Sequence, residues 1–138
     1  TLFIPLIVSS GGNTGNQAAT LIITGLSLGH VSLRDWSRVV VREVAMGLLL
    51  GGVLATLGFF AAWLSGLAPN AQAALVVPIT LLLVVLAGTL LGSMLPLLFA
   101  RIGLDPALMS SPFVAGIIDI LGIVVYMNVA IAVLPPPV

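Results

Sequence analysis

Four stretches of the sequence are each long enough and apolar enough to cross a lipid bilayer as a helix, which takes about 20 mainly apolar residues. They cover Leu2–Leu26, Val44–Leu64, Ala73–Ala100 and Ala107–Val133. The segments between them contain Gly, Pro, Asn and Asp, which are typical of turns. Only eight of the 138 residues are charged, so the chain lacks the polar exterior of a soluble domain. The sequence therefore predicts an all-α membrane protein, a polytopic bundle of four transmembrane helices that forms a single domain over residues 1–138.

The residue types that are missing exclude several classes of function. The chain contains no Lys and no Cys, and its net charge is zero. A phosphate-binding P-loop needs a lysine, a thiolate metal site or a disulfide needs cysteine, and nucleic-acid binding needs a basic surface. His30 is the only histidine, so it has no partner for a zinc site. We therefore expect no enzymatic activity and no nucleotide or nucleic-acid partner. We expect the lipid bilayer to surround the protein.

The four arginines fall in alternate connections between the predicted spans. Arg34, Arg38 and Arg42 lie in the first connection and Arg101 lies in the third. Cytoplasmic loops of membrane proteins are enriched in Arg and Lys. We therefore expect a multi-pass protein of the plasma (inner) membrane, with connections 27–43 and 101–106 in the cytoplasm.

Two segments carry signals for the start of a helix. Ser32 is a suitable N-cap with Asp35 three residues later, and apolar residues follow at helical spacing. We predict a separate short helix there, at the membrane surface before the second span, with Trp36 as its interfacial anchor. Asp105 followed by Pro106 is the corresponding start signal before the fourth span.

One acidic residue, Asp119, lies inside the fourth apolar stretch. An acid at the centre of a spanning helix costs about 2.5–3.5 kcal/mol on insertion scales, so such residues usually face a bundle interior or an ion path. The residues predicted to share its helix face are mostly small, which leaves room for water: Ser111, Ala115, Gly122 and Tyr126. Pro112 has no N–H, so we expect the Leu108 carbonyl to lack its helical donor and to offer an oxygen. These features together predict a cation path.

A polar run, GGNTGNQ at residues 11–17, interrupts the first apolar stretch. Gly11 and Gly15 have the spacing of a helix-packing pair, and amide side chains can join helices in membranes without any further function. Alternatively, Gly12 and Gly15 leave space while Asn13 and Asn16 turn amide oxygens toward a cavity, as in transporters that bind cations. We favour the second interpretation because Asp119 offers a cation site elsewhere in the chain.

The charge of the predicted site favours a dimer. A single carboxylate is a poor match for a divalent ion, whereas two copies of Asp119 across a two-fold axis would supply two negative charges. Mg²⁺ keeps several of its waters and binds through one or two carboxylates, so one acid per subunit suits hydrated Mg²⁺.

The chain resembles the membrane domain of the MgtE magnesium channels and their eukaryotic solute-carrier relatives. The resemblance covers nearly the whole chain and rests on GGNTGNQ, on RDW at residues 34–36, on DPAL at residues 105–108 and on the spacing from Pro112 to Asp119. It implies a homodimer of five-helix domains with a magnesium pore at the dimer interface. It also implies that the family's first membrane helix and its cytoplasmic regulatory domains lie outside this sequence. The positions of the arginines agree, because they place both ends of the chain outside the cell.

The resemblance also implies roles for individual residues. The carboxylate of Asp119 and the backbone carbonyl of Ala115 would hold a hydrated Mg²⁺ ion, which is the transported ion. The helix with the GGN run and the last helix would line the pore. The remaining lining positions are Gly12, Asn13, Gly15, Asn16, Ser111, Pro112, Gly116 and Gly122.

Three functions therefore remain open at this point. The first is a dimeric channel or transporter for hydrated Mg²⁺ with Asp119 at its centre. The second is a secondary transporter of Mg²⁺ or Co²⁺ in which Asp119 couples transport to protons. The third is a membrane subunit that transports nothing and uses its polar residues only for helix packing.

Overall fold

The structure is a computed structural model that describes residues 3–66, 68–108 and 111–134, with Ser111 described by its backbone only. These residues form four helices and no strand, so the predicted all-α class is confirmed. The helices are α1 (Ile4–Ser27), α2 (Trp36–Leu64), α3 (Ala71–Arg101) and α4 (Ser111–Val133). Leu2, at which the first predicted span begins, lies outside the described residues.

The helices end where the sequence has turn residues. The side chain of Asn70 caps α3 by accepting a hydrogen bond from the backbone N–H of Ala73, at 2.8 Å. Gly103 follows α3 with φ +81°, a left-handed conformation that glycine adopts without steric cost. Asp105 accepts a hydrogen bond from the N–H of Ala107, at 2.9 Å, at the start of a 3₁₀ turn over Pro106–Leu108. Asp105 therefore caps this short turn, as a start signal should, but the turn is separate from the fourth helix.

The prediction of a separate surface helix before the second span is wrong. The capping interaction exists, because Asp35 accepts hydrogen bonds from the Ser32 backbone N–H at 2.9 Å and from its hydroxyl at 2.7 Å. A 3₁₀ turn over Leu33–Asp35 then leads directly into α2, which is continuous from Trp36 to Leu64. The physical reason is that residues 36–46 contain no Gly or Pro to end the helix. The charged residues of this segment therefore occupy the first turns of a long apolar helix.

The fourth helix begins later than predicted. Pro112 lies in the first turn of α4, whereas Leu108 belongs to the separate turn Pro106–Leu108. Proline is well tolerated in a first turn because its missing N–H would have no helical partner there. The expectation that Pro112 leaves the Leu108 carbonyl without a donor inside the helix is therefore wrong. Asp119 does not gain an extra oxygen by that route.

Helix α3 is the centre of the bundle, and each of the other three helices packs against it. Half of its most apolar window is buried, against about a fifth for α2 and α4. The core joins all four helices, for example through Ile7 of α1, Ala62 of α2, Leu81 of α3 and Ile118 of α4. Helix α1 packs between α3 and α4. This arrangement fixes which side of α1 faces away from the protein.

Within the described residues, three helical segments are long and apolar enough to cross a membrane: Leu33–Leu64, Ala71–Arg101 and Pro112–Val133. Helix α1 has 24 residues, but its polar run makes it less apolar than the other three. Leu33 and Trp36 line a groove together with Arg101, so the start of α2 and the end of α3 lie at the same end of the bundle. Arg34, Arg38 and Arg101 are therefore at that end, and Arg42 lies further along α2, level with Thr89 of α3.

Candidate functional site

Helix α1 carries an exposed polar stripe along its whole length. Its members recur every three or four residues, which places them on one face of a helix. They are Ser9, Asn13, Gln17, Thr20, Thr24 and Ser27, and all are exposed. We call this set the α1 stripe. The Thr20 and Ser27 hydroxyls donate to carbonyl oxygens of α1 itself, both at 2.9 Å. The amides of Asn13 and Gln17 have hydrogen-bonding capacity left over, and they need water or another protein to face because lipid offers no hydrogen bonds.

The opposite side of α1 is a packing surface of glycines. Gly11 and Gly15 lie directly against Gly88 and Gly92 of α3. A Cβ atom on Gly88 would stand 2.7 Å from the carbonyl oxygen of Gly11, and one on Gly92 would collide with the backbone of Gly15. The two helix backbones are thus in contact, as small-residue pairs allow in membranes. Gly15, predicted to line a pore, is buried here and also packs against Ile118 of α4.

Asp119 of α4 meets α1 at Gly12, beside the α1 stripe. A Cβ atom on Gly12 would lie 3.5 Å from Oδ1 of Asp119, so the carboxylate lies directly beside this glycine, at ordinary van der Waals distance. Asp119 is half-buried, whereas Gly122, one turn later, is buried against Val8 of α1. The structure therefore brings together the two features that the sequence singled out, the GGN run and the intramembrane acid.

The other predicted site residues lie around this contact at different depths. Ala115 is half-buried one turn before Asp119, and its carbonyl belongs to the same helix. Gly116 and Pro112 are exposed, and a Cβ atom on Gly116 would meet nothing within 4 Å. The side chain of Ser111 lies outside the described residues. Helix α4 thus presents Gly116 and Pro112 to the outside of the protein.

The two asparagines of the run differ in their surroundings. Asn13 is exposed and donates a long hydrogen bond of 3.4 Å to the hydroxyl of Ser9. Asn16 is half-buried, and its Oδ1 atom is the one buried side-chain oxygen or nitrogen in the described residues that has no hydrogen-bond partner. An unpaired buried oxygen is costly and is expected where water or an ion completes its contacts. Both asparagines therefore offer polar atoms that the protein itself does not satisfy.

Sequence reasoning missed Glu43, a second acid, which is buried inside the helix bundle. Its side chain is 6% exposed and accepts two hydrogen bonds from Arg42, at 2.7 and 3.1 Å. The Thr89 hydroxyl donates to the Glu43 backbone carbonyl, at 3.1 Å, which ties α2 to α3. Glu43 lines a cavity of about 280 Å³ together with Thr14 and Gln17 of α1. The sequence signal that could have identified Glu43 is the lack of Gly and Pro in residues 36–46, which places Glu43 two turns inside α2.

The site contains one carboxylate per chain. Among the described residues, no group of three or more His, Cys, Asp or Glu side chains is placed to hold a metal ion. Glu43 is already paired with Arg42, so Asp119 is the acid whose charge is available to a cation. A single chain can therefore offer a divalent ion one carboxylate and, on the adjoining helix α1, the asparagine amides.

Comparisons with known proteins identify relatives over almost the whole chain. The family model described as MgtE, divalent cation transporter, matches residues 4–129. The magnesium transporter MgtE of Thermus thermophilus is 44% identical over 131 residues, which is 93% of this chain and 28% of that protein. The magnesium transporters MgtE of Bacillus subtilis and Enterococcus faecalis are 30% and 28% identical, each over 94% of this chain. The chain spans only 28% of the length of these relatives.

Proposed function

The chain belongs to the MgtE family of divalent cation transporters, and from this premise we propose that it forms one half of a dimeric pathway for hydrated Mg²⁺. The relatives that it matches are named magnesium transporters, which supports Mg²⁺ as the transported ion. In this proposal residues 1–138 act as one transport domain in the plasma membrane. All four helices cross the bilayer, including α1, whose stripe faces water instead of lipid.

The observation that carries the proposal is the contact between Gly12 and Asp119 at the edge of the α1 stripe. In one chain the stripe points away from the bundle. A second copy related by a two-fold axis would place two such stripes and two Asp119 carboxylates around one shared space. That space would be polar, and it would be bounded by the small residues that leave it open, Gly12 and Gly116.

The chemistry of Mg²⁺ fits such a site. Mg²⁺ sheds its waters reluctantly and is usually held by one or two carboxylates with several waters retained. Two Asp119 side chains supply the charge, and the Ala115 carbonyls and the Asn13 and Asn16 amides can accept hydrogen bonds from the ion's water shell. Ser111, Pro112 and Gly122 complete the proposed lining on the α4 side, and Gly15 supports it from inside the bundle.

Replacing Asp119 by asparagine tests the proposal, because the change keeps the size of the side chain and removes its charge. We expect Asp119→Asn to nearly abolish Mg²⁺ uptake into liposomes while the dimer still assembles. Asp105→Asn is the matched control: it also removes one carboxylate, but from a turn, where asparagine can still cap the backbone. Uptake by Asp119→Asn at the native rate would refute the central site.

The dependence of uptake on pH tests the charge of Asp119, and its dependence on a proton gradient separates a channel from the coupled transporter. Only the ionised carboxylate attracts a cation, so we expect Mg²⁺ uptake to weaken in acid. Uptake should nevertheless continue when no proton gradient is imposed. A strict requirement for a proton gradient would favour the coupled transporter, and the absence of any cation flux would favour a packing subunit.

A further inference from the structure

An apolar groove of about 360 Å³ lies at the arginine-rich end of the bundle, on the side of α3 that faces the start of α2. Its walls are aliphatic and aromatic side chains of α3 and of the segment that leads into α2. They include Leu91, Met94, Leu95 and Leu98 of α3, together with Leu33 and Trp36. Arg101, in the last turn of α3, closes the groove at its polar end. The groove is separate from the contact between Asp119 and Gly12.

The charge at the mouth of the groove is uncompensated. Of the four arginines, Arg42 is paired with Glu43 at 2.7 Å, and Arg38 is near Asp35 at 3.8 Å. In the ranges that the structure describes, neither Arg101 nor Arg34 has an ion pair, and both are exposed. Arg101 is the one of these two that lines the groove. An anion with an apolar extension would match both the guanidinium and the walls.

The dimensions and the depth fit a lipid. From Leu91 to Arg101 the groove follows α3 over ten residues, which corresponds to about 15 Å of helix and lies within one leaflet. Trp36 stands near the polar end, and tryptophan in membrane proteins concentrates at the level of the lipid headgroups. Arginine recognises phosphate through paired N–H donors. The groove thus has an apolar part and a phosphate-binding part in the order that a phospholipid presents them.

We propose that this groove binds one molecule of an anionic phospholipid, with an acyl chain along α3 and the phosphate at Arg101. Basic pockets between membrane helices on the cytoplasmic side are typical sites for anionic headgroups. A zwitterionic lipid would fill the walls equally well but would bring its own positive charge to Arg101. The site therefore distinguishes lipids by headgroup charge and retains them by their acyl chains.

Lipid titration of the chain in a neutral detergent tests this proposal. Phosphatidylglycerol and phosphatidylcholine with identical acyl chains would be compared by native mass spectrometry, together with a short-chain phosphatidylglycerol. We expect the long-chain anionic lipid to bind more tightly than both others. R101Q should reduce the preference for phosphatidylglycerol about fivefold, the effect of one arginine near an anionic surface. R34Q removes the same charge at the same end but outside the groove, and it should change the preference less than twofold.

Three results would overturn the proposal: equal binding of the two long-chain lipids, equal binding of short-chain and long-chain phosphatidylglycerol, or an equal loss of preference in R101Q and R34Q. Equal binding of the two long-chain lipids would show that the groove does not distinguish headgroup charge. Equal binding of short-chain and long-chain phosphatidylglycerol would show that the walls of the groove hold no acyl chain, as expected where a protein segment covers those walls. A variant L98W, which fills the groove without changing charge, should weaken all long-chain lipids alike. None of these results depends on Mg²⁺ transport, so the two proposals fail independently.

Discussion

Replacing Gly92 by alanine tests the backbone contact between α1 and α3, on which the orientation of the α1 stripe depends. A Cβ atom on Gly92 would collide with the carbonyl oxygen of Gly15 and would lie 2.8 Å from both its carbonyl carbon and its Cα atom. All three are backbone atoms, so no change of side-chain rotamer can relieve the contact. The helices themselves have to move apart.

The size of the effect follows from these distances. Ordinary van der Waals contact begins at 3.4 Å, so the two carbon contacts at 2.8 Å alone require a separation of about 0.6 Å, and the collision with the Gly15 carbonyl oxygen requires more. A gap of about 0.5–1 Å forfeits a quarter to a half of the dispersion energy of each contact that opens. Overpacking of this kind costs about 1–3 kcal/mol, and the higher helix propensity of alanine returns up to about 1 kcal/mol. We expect Gly92→Ala to lower the free energy of unfolding by about 1–2 kcal/mol, the middle of the overpacking range less the gain in helix propensity.

Unfolding in mixed micelles, followed as a function of the denaturing detergent, would measure this difference. The matched control is Gly52→Ala in α2, because a Cβ atom at Gly52 would meet nothing within 4 Å. We expect the control to be neutral or slightly more stable than the parent, as for alanine in any unobstructed helix. Equal stability of Gly92→Ala and Gly52→Ala would refute the close contact between α1 and α3 and the orientation of the stripe with it.

Three further changes test other parts of the structure. Asn13→Leu should reduce Mg²⁺ uptake several-fold and leave dimer assembly intact, because Asn13 is exposed in the protomer; normal uptake in liposomes would assign the run to packing alone. Cysteine substituted for Ser37 should react with a membrane-impermeant reagent from the cytoplasm and cysteine for Asn70 from outside, since Arg34, Arg38 and Arg101 lie at the first of these ends; the reverse labelling would invert the topology. Glu43→Gln should lower the free energy of unfolding in the micelle assay by about 1–2 kcal/mol, because Arg42 loses its charged hydrogen-bond acceptor. The loss stays small because the exposed Arg42 side chain can turn toward lipid or detergent headgroups, and unchanged stability would show that the Arg42–Glu43 pair contributes nothing.

The course of the helices could be predicted from the sequence wherever a breaker residue marks an end. Asn70 and Gly103 bound α3 as turn residues should, and Asp105 caps the turn before α4. The start of α2 could not be located in the same way, because hydropathy falls at the charged residues although nothing there stops a helix. A change in polarity marks where a helix meets the membrane surface, whereas a helix ends only where its hydrogen bonding ends.

The candidate site was predictable in part. An acid in an apolar stretch identified Asp119, and a run of amides identified Asn13 and Asn16, since both are anomalies that a sequence shows directly. The contact of Asp119 with Gly12 depends on how α1 and α4 are rotated about their axes, which packing decides. The extension of the stripe to Thr20 and beyond follows from helical spacing once the whole of α1 is known to be helical.

The two sides of α1 link assembly to transport in the proposed function. Its glycine side is fully used within the protomer, because Gly11 and Gly15 contact the backbone of α3. Its polar side is unused there, and a single protomer in lipid would leave the stripe and the half-buried Asp119 carboxylate without water. Pairing of two protomers removes both costs at once, since the facing stripes can enclose water and the two carboxylates can share one cation. In the proposed dimer, the pathway would stabilise the pairing that forms it, and a cation between the two Asp119 side chains would hold the two halves together.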